Sequence, residues 1–261
     1  MTMNPSERRE LLDFAVEVAW RAGLETLAHY QTGAAAETKP DASPVTAADR
    51  AAEATARRLI EARHPGDAIL GEEEGEEREG AARRWIIDPI DGTRSFMRGV
   101  PLYGVLIALE AGDDAVLGVM HFPALQETVY AARGLGCWWN GRRARVSAET
   151  RLQNALVLTT DVEAIERAGR GPGWDRLRRS AGLCRTWGDC YGYALVATGR
   201  AEAMLDPVLS LWDVAAVVPI VEEAGGVFTD WDGAPGHRAR SGVATNAALA
   251  EEVRRMLRGG A

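Results

Sequence analysis

Lysine is nearly missing from this chain: Lys39 stands alone among 30 basic residues, and all the others are arginine. Cysteine is almost as scarce. Cys137, Cys184 and Cys190 are odd in number and form no CxxC pair, which excludes a disulfide framework and leaves no zinc signature. Reduced, packed thiols are expected. The scattered His29, His64, His121 and His237 read as surface or packing groups rather than metal ligands. No apolar stretch approaches the roughly 20 residues of a membrane span, and the polar start Met1-Thr2-Met3-Asn4-Pro5 is no secretion signal. A cytoplasmic protein with no membrane partner is predicted. An excess of positive charge is missing too: 38 acidic residues against 30 basic ones leave a net charge of -8, which opposes nucleic acid and suits cations.

What is present is enough for a large core. A chain of 261 residues buries roughly three quarters of its extended-chain surface. Apolar residues recur at helical spacing from Pro5 to about Tyr30, with Ser6 as candidate N-cap and Gly33 beyond the end. After the polar loop around Lys39, Thr46 opens a second helix that Pro65-Gly66 stops near His64, with Asp49 in its first turn. Ala68-Ile69-Leu70 reads as a short strand, and the acidic, Gly-punctuated stretch to Gly80 as a mobile loop. Runs from Tyr103 to Leu109, Ala115 to Phe122, Glu127 to Ala132 and Gly134 to Asn140 predict an antiparallel meander. The second half has predicted strands at 155–159, near Cys184, 201–205 and 226–229. Its predicted helices start at Val162, Asp189, Trp212 and Ala247, the third running unbroken to Ala224. No linker or repeat separates the halves, so one α/β unit is expected.

The chemistry concentrates in Trp85-Ile86-Ile87-Asp88-Pro89-Ile90-Asp91-Gly92-Thr93. A short apolar run bounded by Pro and Gly is a buried strand, and its end carries two carboxylates and a hydroxyl. Asp88 and Asp91 are hard oxygen ligands, and the turn through Pro89 aims the Ile90 carbonyl at the same cation. Gly92 lets backbone approach a ligand closely. Glu72 and Asp213 also sit at predicted element boundaries. Carboxylates without histidine or cysteine are what magnesium prefers.

Leu70-Gly71-Glu72-Glu73, Asp88-Pro89-Ile90-Asp91-Gly92-Thr93 and Leu211-Trp212-Asp213-Val214-Ala215-Ala216 resemble, in order, three motifs of the inositol monophosphatase superfamily. The resemblance spans nearly the whole chain. It implies an α/β (α+β) fold, a layered α-β-α-β-α sandwich of the sugar-phosphatase type. It also implies a single domain over 1–261, with an N-terminal half to about 150, and a homodimer. Two or three magnesium ions follow from it: Glu72, Asp88 and the Ile90 carbonyl hold one, Asp88, Asp91 and Asp213 a second, and a third leans on Glu72. Val45-Thr46-Ala47-Ala48-Asp49 is similar to the family's helix start, where the aspartate pairs with the motif threonine to orient the attacking water. Asp49, Thr93 and Glu72 are thus the catalytic candidates. The Asp-x-x-Asp-Gly-Thr spacing differs from that of phosphatases that form a covalent aspartyl phosphate, so direct attack by water on phosphorus is expected.

Arg94-Ser95-Phe96 and Trp187-Gly188-Asp189-Cys190-Tyr191-Gly192-Tyr193 are closer to the histidinol-phosphatase branch of the superfamily than to its inositol branch. Histidinol phosphate carries an amine and an imidazole, and a pocket acid selects such a substrate against neutral polyols. The substrate side is assigned to Ile90, Asp91, Gly92, Thr93, Arg94, Arg185, Asp189 and Asp213. Asp189 has two readings, pocket acid and helix N-cap, and Arg185 two, substrate contact and surface ion pair. Lys39 is either a survivor of codon bias or an anion or metal-water contact. The first expectation is a histidinol-phosphate phosphatase of histidine biosynthesis. An inositol-1-monophosphatase or broad sugar-phosphate phosphatase comes second, and bisphosphate substrates third for want of basic groups. A non-catalytic metal-binding regulator is the alternative of another class, and the intact ligand set opposes it.

Overall fold

The computed structural model describes residues 3–33, 36–38 and 44–258, so Lys39 lies outside the described residues. Helix α1 (Pro5–His29) begins at Asn4, whose side chain accepts from the Glu7 amide at 3.0 Å; Ser6 is inside the helix rather than its cap, because Pro5 fits the first turn without losing a bond. Strands β1 (Ala36–Thr38) and β2 (Pro44–Thr46) pair antiparallel, and α2 (Ala47–Arg63) follows from the Thr46 cap.

An 8-stranded sheet comes next in the chain. It is built from β3 (Ala68–Gly71), β4 (Gly75–Glu77), β5 (Arg83–Asp91), β6 (Gly104–Ala111), β7 (Asp114–Phe122), β8 (Glu127–Ala132), β9 (Gly136–Trp139) and β10 (Arg142–Arg143), with the short helix α3 (Thr93–Met97) after β5. The strand order is β10-β9-β8-β7-β6-β5-β3-β4. The acidic stretch expected to be a loop therefore contains β4, which pairs with β3 in the register Gly71↔Gly75 and Ile69↔Glu77.

The second half folds as β11 (Leu156–Thr159), α4 (Val162–Arg167), α5 (Gly171–Ser180), β12 (Leu183–Arg185), α6 (Asp189–Ala197), β13 (Ala203–Asp206), α7 (Leu211–Ala215), α8 (Val217–Glu223), β14 (Gly226–Thr229), β15 (Gly242–Asn246) and α9 (Ala250–Arg258). Its 5-stranded sheet has the order β12-β11-β13-β15-β14. Helix α5 and strand β15 are additions to the sequence reading.

Side-chain alternation assembles the layers. Trp85, Ile87, Val105 and Ile107 pack under α1 and α2, while Ile86, Leu106, Ala108 and Met120 pack on the other face against α6, α7 and α8. The same helices cover one face of the second sheet through Leu158, Met204 and Ala244. Its opposite face, with Val157, Ala203, Leu205 and Val243, is covered by Ile165, Trp174, Leu177 and Val253 of α4, α5 and α9. The α-β-α-β-α order expected from the motifs is the order observed. Both faces of β5 being buried explains why Trp85-Ile86-Ile87 is continuously apolar.

The single helix expected from Trp212 to Ala224 is two, broken at Ala216. Pro219 lacks the amide that would bond the Ala215 carbonyl. The freed backbone then lies against β7 so closely that a Cβ on Gly118 would sit 2.1 Å from the Ala216 carbonyl oxygen. Gly118→Ala should push the junction of α7 and α8 off the sheet and cost about 1–3 kcal/mol of stability. Urea unfolding checks this, and an unchanged midpoint would contradict the close approach.

Candidate active site

Strand β5 delivers the two motif aspartates through a defect. The register pairs Asp88 with Leu106 but Asp91 with Gly104, so three steps on β5 match two on β6. Pro89, which has no ladder donor, lies in that bulge. Without the extra residue Asp91 would face α2, opposite to Asp88. With it, Asp91 meets the N-terminus of α6, where its Oδ2 accepts from the Cys190 amide at 2.6 Å. Ile90 turns the other way, into a cluster with Ala48, Phe96 and Tyr103.

Asp213, in the first turn of α7, completes the group. Its Oδ2 accepts from the Ser210 amide at 2.7 Å, and one oxygen each of Asp88, Asp91 and Asp213 lie within 4.8 Å of one another. Asp88 is buried and its Oδ1 accepts from the Ile90 amide at 3.1 Å. Burial, with the added repulsion of Glu72, Asp91 and Asp213, pushes the Asp88 carboxyl well above the usual range. Asp91 is pushed up the same way, by burial and by Asp189 and Asp213. Burial and Glu72 raise Asp213 to about 6, against the hold of the Ser210 amide. Glu72 follows β3, and its amide donates to the Ile87 carbonyl at 3.2 Å, beside β5. Clustered oxygens that resist joint ionisation are a donor set for a hard divalent cation. The neighbouring Cys190 thiol is driven well above its ordinary range by burial and Asp91, so it stays neutral and outside that set.

Asp49 belongs to the helix cap. Its Oδ2 accepts from the Thr46 amide (2.8 Å) and hydroxyl (2.6 Å), closing a capping box. Its Oδ1 is buried without a hydrogen-bond partner, and burial followed by Glu72 raises its carboxyl. The expected bond from Thr93 to Asp49 is not made. Thr93, the first residue of α3, donates its hydroxyl to the Ile90 carbonyl at 2.9 Å instead.

A cleft of about 480 Å³ opens over this group, lined among others by Glu72, Gly92, Thr93, Arg94, Thr186 and Asp189. A recess of about 160 Å³ continues past Asp91, Asp189 and Asp213 to Asp161, Tyr193 and Asp206. Asp189 is not the cap of α6, a position Gly188 occupies. It holds a left-handed φ of 51°, unusual for a residue with a Cβ, and its amide donates to Thr160 Oγ1 at 2.8 Å. Burial, then Asp206 and Asp213, lifts its carboxyl to about 7, although Arg94 and Ser95 pull it down. Arg185 is not brought to the carboxylates. It donates to the Cys184 carbonyl at 2.7 Å and lines a separate groove with Glu166, Trp174 and Arg178 at the edge of the second sheet. Asp206 was missed. It accepts from Tyr193 Oη at 2.9 Å and from the Thr160 amide at 3.2 Å, and burial raises its carboxyl. The signal was available: Asp206-Pro207 ends the apolar run Ala203-Met204-Leu205, just as Asp88-Pro89 ends Trp85-Ile86-Ile87.

The sequence profile of the inositol monophosphatase family matches residues 7–258. The chain belongs to the inositol monophosphatase family. A histidinol-phosphatase of Chlorobaculum parvum is 49% identical over 223 residues, which are 85% of this chain and 86% of that protein. A histidinol-phosphatase of Mycobacterium tuberculosis is 40% identical, over 86% of this chain and 88% of the relative. Among solved structures, the extragenic suppressor protein suhB of Bartonella henselae superposes with a TM-score of 0.90 at 30% identity, covering 97% of this chain and 100% of the other. As a member of this metal-dependent family, the protein is a phosphomonoesterase.

The raised carboxyls fix a pH response of the cation-free protein. Asp213 at about 6 and Asp189 at about 7 keep protons that the unfolded chain gives up near pH 3.9, so the folded state binds more protons between those values. Stability in chelator should therefore fall as pH rises from about 4 through 7, and added magnesium should flatten the fall; melting scans across that range check it. Asp91→Asn removes one repelling charge, so in chelator near pH 8 it should melt above the wild type yet gain less from magnesium. An unchanged magnesium response would remove Asp91 from the donor set.

Proposed function

We propose that this chain is a magnesium-dependent histidinol-phosphate phosphatase, with water attacking phosphorus directly. The observation that carries the substrate is the acidic wall beside the donor set: Asp161, Asp189 and Asp206 line the cleft and its recess, with Arg94 lining the cleft as well. A leaving group bearing an ammonium and an imidazole matches that wall, and a neutral polyol does not. The naming of the 49% and 40% identical relatives as histidinol-phosphatases supports the same reading.

In this reading Glu72, Asp88, Asp91, Asp213 and the Ile90 carbonyl would hold two magnesium ions, with Glu72 leaning on a third. Bound there, magnesium supplies a lowered pKa of water and offsets charge on the attacking and leaving oxygens. The chain's own groups do the rest. Asp49 Oδ1 and Thr93 Oγ1 would orient the attacking water, and Glu72 would share in accepting its proton. Gly92 would let the phosphate approach the backbone. Asp189 and Asp206 would bind the cationic end, whose charge favours the ionised form of Asp189. Both halves supply ligands, Glu72, Asp88 and Asp91 from the first and Asp213 from the second, which supports one functional domain over 1–261. A cytoplasmic homodimer completes the proposal, and exposed Trp20, Leu24 and Leu27 form an apolar stripe available for it on α1.

A relative of Mesorhizobium japonicum named inositol-1-monophosphatase is 34% identical over 87% of this chain, so inositol 1-phosphate is the competing substrate to test. Phosphate release from L-histidinol phosphate should exceed that from myo-inositol 1-phosphate by about a hundredfold in kcat/KM, about 2.7 kcal/mol of differential transition-state binding. Asp189→Asn should erase most of that preference by lowering the first value alone. Equal values in the wild type would make the enzyme a general or inositol-directed phosphatase.

A further inference from the structure

Glu53 lies one turn beyond Asp49 on α2 and has no solvent exposure. Its carboxylate is used on both sides. Oε2 accepts from the Glu73 amide at 2.8 Å, and Oε1 from the Glu74 amide at 3.0 Å and from Arg57 Nε at 2.8 Å. Arg57 goes on to the same hairpin, donating to the Gly75 carbonyl at 2.5 Å and to Glu77 at 3.0 Å. On the other side of Glu72, Gly71 leaves the space that the carboxylate fills: a Cβ there would sit 2.0 Å from Glu53 Oε1. Glu53 and Arg57 thus hold the chain after Glu72 by hydrogen bonds, and Glu53 packs against the residue immediately before it.

The grip answers a specific electrostatic problem. Glu72, Glu73, Glu74, Glu76 and Glu77 crowd one hairpin beside a group of carboxylates, and its outer strand is a three-residue sheet edge. Repulsion of this kind favours an open hairpin that swings Glu72 away from the donor set. A buried acceptor for two successive amides, neutralised by its own arginine, opposes that opening without adding charge to the site.

We propose that Glu53 is the positioning residue for Glu72, holding the turn after β3 so that this ligand faces the cation before the cation binds. The inference rests on the reading of Glu72 as a magnesium ligand. Partners behind a ligand commonly change metal affinity by about 10–100-fold when lost. Glu53→Gln, which offers an NH₂ where one backbone amide needs an acceptor, should therefore raise the magnesium half-saturation about tenfold by calorimetry. It should also speed hydrogen exchange of the Glu73 and Glu74 amides. Gly71→Ala, which crowds the carboxylate and leaves Glu53 itself in place, should do the same and serves if the first variant does not fold. Glu61→Gln, at an exposed ion pair with Arg78, should change neither. Folded variants that melt lower but bind magnesium as the wild type does would reduce Glu53 to a stability role and overturn the inference. Glu72→Gln separates the two layers. Weakened binding there with unchanged binding in Glu53→Gln sinks the positioning role alone, and unchanged binding in Glu72→Gln sinks the ligand reading and this inference together.

Discussion

Mutual repulsion among Asp88, Asp91 and Asp213 is the constraint around which the molecule is arranged. Left to themselves, three carboxylates with oxygens within 4.8 Å of one another separate or take up protons, and burial first, then the charges of neighbouring carboxylates, pushes all three upward. The fold keeps them together by giving each a backbone amide to accept from: Ile90 for Asp88, Cys190 for Asp91 and Ser210 for Asp213. Each amide comes from a different local device, a bulge, a helix start after a left-handed residue, and a helix cap. None of these donors brings a counter-charge. The excess negative charge is left for a cation, so the bare pocket is unfavourable.

Holding those devices in register requires stiff layers on either side. Helices α6, α7 and α8 are sandwiched between the two sheets, and their apolar residues face both. The break at Ala216 lets α7 tilt its first turn toward β5 while α8 packs under β7, and Gly118 grants the contact that fixes the break. Packing at the centre of the molecule therefore sets the position of Asp213 as directly as any polar contact does.

Much of this was legible in the sequence, and the parts that were not share a cause. Strand-end aspartates followed by Pro or Gly announce themselves, because local chain chemistry makes them; Asp88, Asp91 and the Thr46 to Asp49 cap are of that kind. The direction in which Asp91 points was not legible, since it depends on one extra residue in a ladder with a distant strand. Helix α5 begins Gly171-Pro172-Gly173, which reads as a breaker. Pro172 costs nothing in a first turn, and Gly173 is there for α9, whose Leu257 carbonyl lies 2.5 Å from where a Cβ would be. Strand β4 is acidic and exposed, so its pairing comes from β3 and Arg57 rather than from its own residues. The hydroxyl of Thr93 donates to the Ile90 carbonyl three residues back rather than to Asp49, a local bond that the motif spacing does not announce.

On the proposed function, one turn ties substrate choice to the donor set. Residues 188–190 are pinned on two sides: the Asp189 amide binds Thr160 at the end of β11, and the next amide, from Cys190, binds Asp91. A side chain at position 189 therefore reaches the cleft from a backbone that is itself bonded to Asp91, which the proposed function makes a ligand of the cation. Its left-handed φ carries a strain cost of the kind found where a fold over-determines a functional residue. In that reading a backbone shift of this turn would move Asp189 and Asp91 together, whereas a side-chain exchange at position 189 leaves both amide bonds in place. The remaining wall, Asp206 with Tyr193, is joined to the same turn one residue further off, because Asp206 accepts from the Thr160 amide while the Thr160 hydroxyl accepts from the Asp189 amide. On the proposed function, substrate preference is therefore adjusted by side-chain exchange at position 189 or 206, and a backbone shift of the turn changes it only together with the geometry of the donor set.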